Sequence, residues 1–155
     1  MKKLFLIITV SLMALSIYAQ SNKEEVDLLQ AAFGMDKKAA AAEFFNVTDS
    51  QKDAFWKLYD EYEAERKELG KERIELLSQY AEHYKDMTNE QASAWTPKVI
   101  DLGKRTDKLI ETYYGKILKA TDAIVATQFY QFEAYILTAI RGQLLEEVPF
   151  LQKKK

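Results

Sequence analysis

The chain has 155 residues, a net charge of −2 at pH 7 and no cysteine. That length suits one domain with a modest core, and the lack of cysteine leaves its stability to packing rather than to disulfides. The slightly acidic balance excludes a generally basic nucleic-acid-binding protein, so no nucleic-acid partner is expected.

The N-terminus predicts a signal peptide over residues 1–19. A short basic start is followed by an apolar run at 4–15, which is too short to span a bilayer comfortably, and Ala19 offers a small residue for cleavage. The alternative is an uncleaved N-terminal anchor. Cleavage implies a periplasmic protein with no stable membrane insertion, and the loss of Lys2 and Lys3 changes the net charge of the mature chain to −4.

Residues 20–46 predict an N-terminal helical arm. Ser21 and Glu24 have the spacing of a capping box, Gly34 ends or loosens this first helix, and residues 36–45 form a further helical piece. The apolar stripe of the first helix is Val26, Leu28, Leu29 and Phe33.

Residues 49–86 predict the long helix on which the rest of the fold is built. The stretch contains no proline and is rich in good helix formers, and a helix of that length spans about 57 Å. Arg66 and Arg73 fall on its apolar stripe, and whether the helix continues through Gly70 is left open. The apolar members of the stripe are Phe55, Tyr59, Tyr62, Leu69, Leu76, Tyr80 and Met87.

This stripe is aromatic at both ends and charged in its centre. Such a pattern favours a helix that is buried at its ends and partly open in the middle. The alternative is that Arg66 and Arg73 lay their aliphatic stems over the core and keep their charges in solvent.

Two similar helix starts lie forty residues apart, at 47–51 (VTDSQ) and 87–91 (MTNEQ). Both have the T-x-x-Q form of a capping box, in which the threonine oxygen accepts from the glutamine backbone N–H and the glutamine side chain accepts from the threonine N–H. The capping residues are Thr48 and Gln51 in the first box and Thr88 and Gln91 in the second.

The second box is expected to open only a short helix, because Pro97 follows soon. A proline inside a helix costs about 3 kcal/mol or more, so we place Pro97 in the first turn of a new helix. Thr96 would cap that helix, which runs to about Lys119.

The last helix begins at Thr121 and Asp122, and Pro149 ends it. We expect Phe150 and Leu151 to fold back on the helix and the basic tail at 152–155 to be solvated. The apolar stripe of this helix is Val125, Phe129, Phe132, Ile136, Ile140 and Leu144.

No alternating strand pattern occurs anywhere in the sequence. The fold class is therefore all-α: an elongated helical hairpin or bundle built on one long helix, with two further substantial helices and the N-terminal arm. The signal peptide, the arm, a helical domain at 47–151 and the tail make up the chain.

The residues give no sign of an enzyme, a metal site or a cofactor. His83 is the single histidine and lies near the end of the long helix, without a cysteine or a metal-ligand spacing beside it. Glu133 is the more informative polar residue, because it flanks the apolar stripe of the last helix. It is expected to pair with Arg66 or Arg73, and the alternative is a solvated outer face.

The two boxes at 47–51 and 87–91 resemble the LTxxQ motifs of the Spy/CpxP-like periplasmic proteins, with Val47 and Met87 in place of the leading leucine. The order of signal peptide, arm, motif, long helix, second motif and further helices is similar too. The resemblance implies an envelope-stress protein that binds unfolded or envelope proteins without ATP and that can form a homodimer.

If this function carries over, the resemblance implies that a mixed aromatic and basic surface on the long helix holds unfolded clients. The alternative is a structural or adaptor protein that docks on one specific envelope partner. The expected client-binding or partner-binding residues are Tyr59, Tyr62, Arg66, Leu69 and Arg73.

Overall fold

The computed structural model describes residues 37–151, and these residues form four α-helices and no strand. The all-α fold class is therefore confirmed. The signal peptide, residues 20–36 of the arm and the tail at 152–155 lie outside the described residues. The helices are α1 Lys37–Phe44, α2 Lys52–His83, α3 Asn89–Ala120 and α4 Ala123–Glu147.

The long helix is present as α2, and it continues through Gly70 without a break. Its 32 residues span about 48 Å. It begins three residues later than predicted, because the first box does not cap it. Gln51 precedes the helix, its N–H donates to the backbone oxygen of Thr48 at 3.0 Å, and the residues between them form a turn.

The first box is only partly formed. The Gln51 side-chain oxygen accepts from the Thr48 N–H at 3.3 Å, as predicted, but the Thr48 hydroxyl donates to that same oxygen instead of accepting from the helix. The Gln51 amide also donates to Asp122 at 2.8 Å, so this side chain joins the start of α2 to the start of α4.

The second box forms completely. The Thr88 hydroxyl accepts from the Gln91 N–H at 3.2 Å, and the Gln91 side chain accepts from the Thr88 N–H at 2.8 Å. This reciprocal pair satisfies two backbone donors at the start of α3, which confirms the predicted cap.

The prediction that Pro97 starts a new helix is wrong, because α3 runs continuously past it. Residues on both sides of the proline pack against the rest of the protein. The Trp95 indole N–H donates to the Leu76 carbonyl of α2 at 2.9 Å, and Leu102 is buried. This bond to α2 and the burial of Leu102 offset the hydrogen bond that the proline cannot donate.

Helices α2, α3 and α4 run up, down and up, and α3 lies between the other two. Tyr62 contacts Tyr113 and Leu76 contacts Trp95, so α2 and α3 are antiparallel. Gln51 binds Asp122, Tyr62 contacts Phe129 and Tyr80 binds Pro149, so α4 runs parallel to α2. No Cα atom of α2 lies within 8 Å of one in α4, and α1 covers the space between them at one end.

An aromatic core fills the space between α2 and α4. The Tyr62 and Phe129 rings meet edge to face at 5.0 Å, and Phe45 after α1 meets Phe55 at 4.9 Å. The predicted stripe of α4 is confirmed, with five of its six residues buried and Leu144 half-buried.

The prediction that the C-terminal residues fold back is wrong, because Phe150 is 89% exposed and Leu151 is 45% exposed. The Tyr80 hydroxyl donates to the Pro149 carbonyl, and this bond directs the chain end along the end of α2.

We predict that Pro97→Ala stabilises the protein by about 1–2 kcal/mol. Alanine restores a backbone hydrogen bond in the helix interior. It also gives the unfolded chain more conformational freedom than proline does, and this offsets part of the gain in stability. Urea unfolding measures the change, with Lys98→Ala as an exposed control in the same turn. A lower stability of Pro97→Ala would show that the helix needs the proline at this position.

Candidate protein-binding surface and the buried ionic cluster

The predicted client-binding surface on α2 does not exist as an open surface. Tyr59 and Tyr62 are fully buried and Arg66 is 3% exposed, so these three residues cannot hold a client in this structure. Leu69 and Arg73 are half-buried. The sequence prediction was wrong because it could not show that α1 and α4 pack over this face of α2.

Lys37, Glu63, Arg66 and Glu133 form a cluster of charged side chains, hereafter the ionic cluster. Lys37 is the first residue of α1, and its ammonium donates to Glu63 of α2 at 2.5 Å and to Glu133 of α4 at 2.7 Å. The Tyr62 hydroxyl also donates to Glu133, at 2.7 Å. One lysine therefore joins three helices.

Arg66 completes the cluster from the next turn of α2. Its guanidinium binds the Glu63 carboxylate through two N–H groups, at 2.8 and 3.1 Å, in the fork geometry that suits this pair. The expected pairing of Glu133 with Arg66 or Arg73 is corrected, because Glu133 binds Lys37 instead. Glu133 is fully buried, which also excludes the solvated alternative.

Two positive and two negative charges balance in this cluster. Burial by itself raises the pKa of the Glu63 carboxyl, but the charges of Lys37 and Arg66 and their hydrogen bonds outweigh it and lower the pKa from 4.5 to about 2. Burial and the charge of Glu133 raise the pKa of Tyr59 and Tyr62 far above its usual value, so both phenols stay neutral.

Part of the charged middle of α2 bonds to α3 on its other side. The Tyr113 hydroxyl donates to Glu65 at 2.7 Å, and Arg105 donates to Glu72. The Lys116 ammonium lies 3.9 Å from the centre of the Tyr113 ring. Pairing with α3 therefore accounts for Glu65 and Glu72, whereas Lys67 and Glu68 stay exposed on α2.

The candidate binding surface lies instead on α4, on the side that faces away from the core. Ile124 is 71% exposed, Tyr135 67% and Leu145 66%, and Tyr130 at the edge is 54% exposed. None of the fully exposed residues that the structure describes on α4 carries a charge, and the half-buried Arg141 pairs with Asp107 of α3. The outer face of α4, as we name it, consists of Ile124, Thr127, Gln131, Tyr135, Thr138, Gly142 and Leu145.

The other long helices do not share this property. The exposed side of α3 carries Lys98, Asp101, Lys104, Lys108 and Glu111 among its residues. Sequence reasoning missed the outer face, although a signal was present. The only charged residues of α4 before its last two positions are Glu133 and Arg141, and they lie eight residues apart.

We predict that Lys37→Met destabilises the protein by about 3–5 kcal/mol, because it leaves one negative charge buried without compensation. The double variant Lys37→Met/Glu133→Gln restores the charge balance and should recover part of the loss. Urea unfolding measures both.

Lys38→Met is the matched control for this prediction. Lys38 pairs with Asp60, but both side chains are more than half exposed, so its loss should cost less than about 1 kcal/mol. Equal losses for Lys37→Met and Lys38→Met would contradict a buried role for the ionic cluster.

The lowered pKa of Glu63 predicts a pH-dependent stability. The folded protein holds this carboxylate ionised, so its contribution of about 3 kcal/mol at most is present above about pH 4.5 and is lost as the pH falls towards 2. The stability difference between the wild-type protein and Glu63→Gln should therefore shrink over that range. Urea unfolding between pH 7 and pH 2 measures it.

Glu68→Gln is the control, because Glu68 is 70% exposed in its pair with Lys71 and should show a small difference at every pH. A Glu63→Gln difference that stays constant down to about pH 2 would contradict the prediction.

Residues 37–151 contain no group of three or more histidine, cysteine, aspartate or glutamate side chains that could hold a metal ion. Within the same range, no helix is long and apolar enough to cross a bilayer. Comparisons of the chain with protein-family models, curated proteins and solved structures found no match.

Proposed function

We propose that this chain is an exported, non-catalytic protein of Spy/CpxP type that holds unfolded proteins in the periplasm without ATP. The observation that supports this proposal best is the outer face of α4, which is exposed, apolar or uncharged, and long. It replaces the buried residues of α2 as the surface that binds clients.

The dimensions of this face suit an extended polypeptide. From Ile124 to Leu145 the helix spans about 32 Å, which is the length of about ten residues of extended chain. Ile124, Tyr135 and Leu145 present large apolar side chains along it, with small or polar residues between them. Such spaced contacts are individually weak, and a client held by them can leave without an energy source.

The lack of charge on this face supports binding of many different clients. A charged site selects partners of opposite charge and rejects like charges, whereas apolar contacts select only for exposed apolar side chains. Unfolded proteins of any sequence expose such side chains, because their cores are not yet buried.

The buried side of α4 holds the helix in place, so its outer face keeps its shape when no client is bound. Val125, Phe129 and Ile136 are buried in the core, Glu133 is held by Lys37, and Asp122 caps the helix by accepting from two backbone N–H groups. Packing therefore fixes the helix while its outer face stays accessible.

We predict that the mature protein suppresses the aggregation of several unrelated unfolded proteins at near-stoichiometric ratios. The double variant Ile124→Glu/Leu145→Glu should need about tenfold more protein for half-protection, since the loss of about 1.4 kcal/mol of apolar contact is a factor of ten. Light scattering of denatured client proteins on dilution measures the protection.

The double variant Ile100→Glu/Leu118→Glu is the matched control. It makes the same residue changes at exposed positions of α3, and it should protect as the wild type does. Equal protection by all three proteins would remove the outer face of α4 from the proposal. If the wild type protects no client at all, the chaperone function fails, and an adaptor for one envelope partner becomes the better hypothesis.

A further inference from the structure

The outer face of α4 contains a row of exposed residues with a seven-residue spacing. Ile124, Gln131, Thr138 and Leu145 lie seven residues apart, and all four are exposed. Residues at this spacing stay on one side of a helix, and the contact row between two paired helices has the same spacing. The row carries no charge, so a second uncharged helix can cover it without burying an unpaired charge.

The two ends of the face have similar side chains in reversed order. The large aliphatic residues Ile124 and Leu145 lie at the ends and are both about two-thirds exposed. Thr127 lies three residues after Ile124, and Gly142 lies three residues before Leu145. If two copies of the face meet in opposite directions, each Ile124 lies opposite Leu145 of the other copy. The small Gly142 then lies opposite Thr127, so neither end is left with a gap or a clash.

We propose that the outer face of α4 pairs with the same face of a second copy of this chain, with the two helices antiparallel. In the middle of the pair, Gln131 of each copy lies opposite Thr138 of the other, where the amide and the hydroxyl can hydrogen-bond. Tyr135, which is 67% exposed in one copy, lies beside the two-fold axis and is covered by its own equivalent. A two-fold interface of this kind makes each contact twice.

The charges at the two ends of α4 favour the antiparallel direction. The helix ends in Glu146 and Glu147, and it begins shortly after Lys119 in the last turn of α3. An antiparallel pair brings these opposite charges to the same end of the dimer, and it places the acidic residues near the partly positive start of the other α4. The carboxylate of Asp122 at that start is already held by two backbone N–H groups and by Gln51. A parallel pair would instead bring the acidic ends together, and like charges repel.

The size of the face limits the strength of the pair. An α-helix with its side chains is about 10–12 Å wide, so a face about 32 Å long offers about 350 Å² on each copy. The pair would bury about 700 Å² in total, which is below the roughly 1,200 Å² of the smaller stable interfaces. We therefore expect a weak pair that separates and forms again.

A weak pair has a consequence for client binding, and this consequence rests on the proposed function. The second copy covers the same residues that would hold a client, so the two compete for one face. The pair would keep Ile124 and Leu145 out of water when no client is present, and a client in excess would replace the second copy.

The test is a disulfide between two singly substituted copies, because the chain has no cysteine of its own. Gln131→Cys and Thr138→Cys are made separately in the mature protein, one of them with a tag that changes its mobility. The two are mixed, and air oxidation is followed on non-reducing gels. A disulfide requires Cα atoms about 4.4–6.8 Å apart, and only the mixed pair places its two cysteines opposite each other.

We expect the mixed disulfide to form about tenfold faster than either disulfide between two identical variants, because pairing raises the effective concentration of the facing cysteines. Two copies of the same variant have their cysteines offset by seven residues, which is about 10 Å along the helix. Circular dichroism of the reduced proteins checks that both variants keep their helices.

Lys104→Cys mixed with Glu111→Cys is the matched control. These two positions are also seven residues apart and exposed, but they lie on α3, so their disulfides should form slowly and without preference for the mixed pair. Rates on α4 that are no higher than those on α3 would overturn the proposal. Faster disulfides between identical variants than between the mixed ones would show a parallel pair and would overturn it too.

A repeat with an excess of an unfolded protein separates this inference from the proposed function. Slower formation of the mixed disulfide would support both, because the client and the second copy would share one face. An unchanged rate would keep the pair and remove the outer face as the client site. Absence of the pair would leave the proposed function to the light-scattering assay, which measures protection by single copies as well.

Discussion

The structure depends on a balanced set of four charges buried where three helices meet. Lys37 reaches both Glu63 and Glu133, Arg66 binds Glu63 through two hydrogen bonds, and the hydroxyl of Tyr62 supplies a further donor to Glu133. Buried charges are costly unless they are paired and hydrogen-bonded, so the cluster strongly favours the one arrangement in which all four groups meet. That arrangement places α1 between α2 and α4.

The aromatic core explains why the cluster lies there. The large rings of Tyr59 and Tyr62 on α2 meet the ring of Phe129 on α4 and keep the two helices apart. Tyr113 of α3 packs against Tyr62. A wide gap between two helices needs a third element to exclude water from it. α1 and the residue after it exclude water with Ala41 over the middle of the gap, Phe45 at one end and the Lys37 ammonium at the other.

The same arrangement divides α4 into two sides with different roles. Its inner side carries the buried stripe and Glu133, whereas its outer face carries exposed residues without charge. A surface helix of a globular protein usually has charged residues on its solvent side. The absence of charge on the described outer face is therefore a property that stability does not require, and it is the reason to connect this face with binding. The charged exposed residues of α3 provide the contrast within one molecule.

Several features follow from local sequence alone. The periodic apolar residues determined the long helix α2 and the buried stripe of α4, because a helix repeats its faces every three or four residues wherever it packs. The capping box at Thr88 and Gln91 formed as expected, because both of its hydrogen bonds are between residues three apart.

Other features were decided by contacts between residues far apart in the chain. The first capping box stays partly unmade because the Thr48 hydroxyl donates to the Gln51 side-chain oxygen instead of accepting from the Gln51 N–H, and the Gln51 amide binds Asp122 at the start of α4. Pro97 stays inside α3 because the flanking turns pack on α2 and on the core. Tyr59 and Tyr62 are buried because Lys37 of α1 and Phe129 of α4 contact their rings. A sequence pattern shows that a residue lies on a stripe but not which element packs there. Helical periodicity is local, whereas burial and the pairing of charges are properties of the assembled helices.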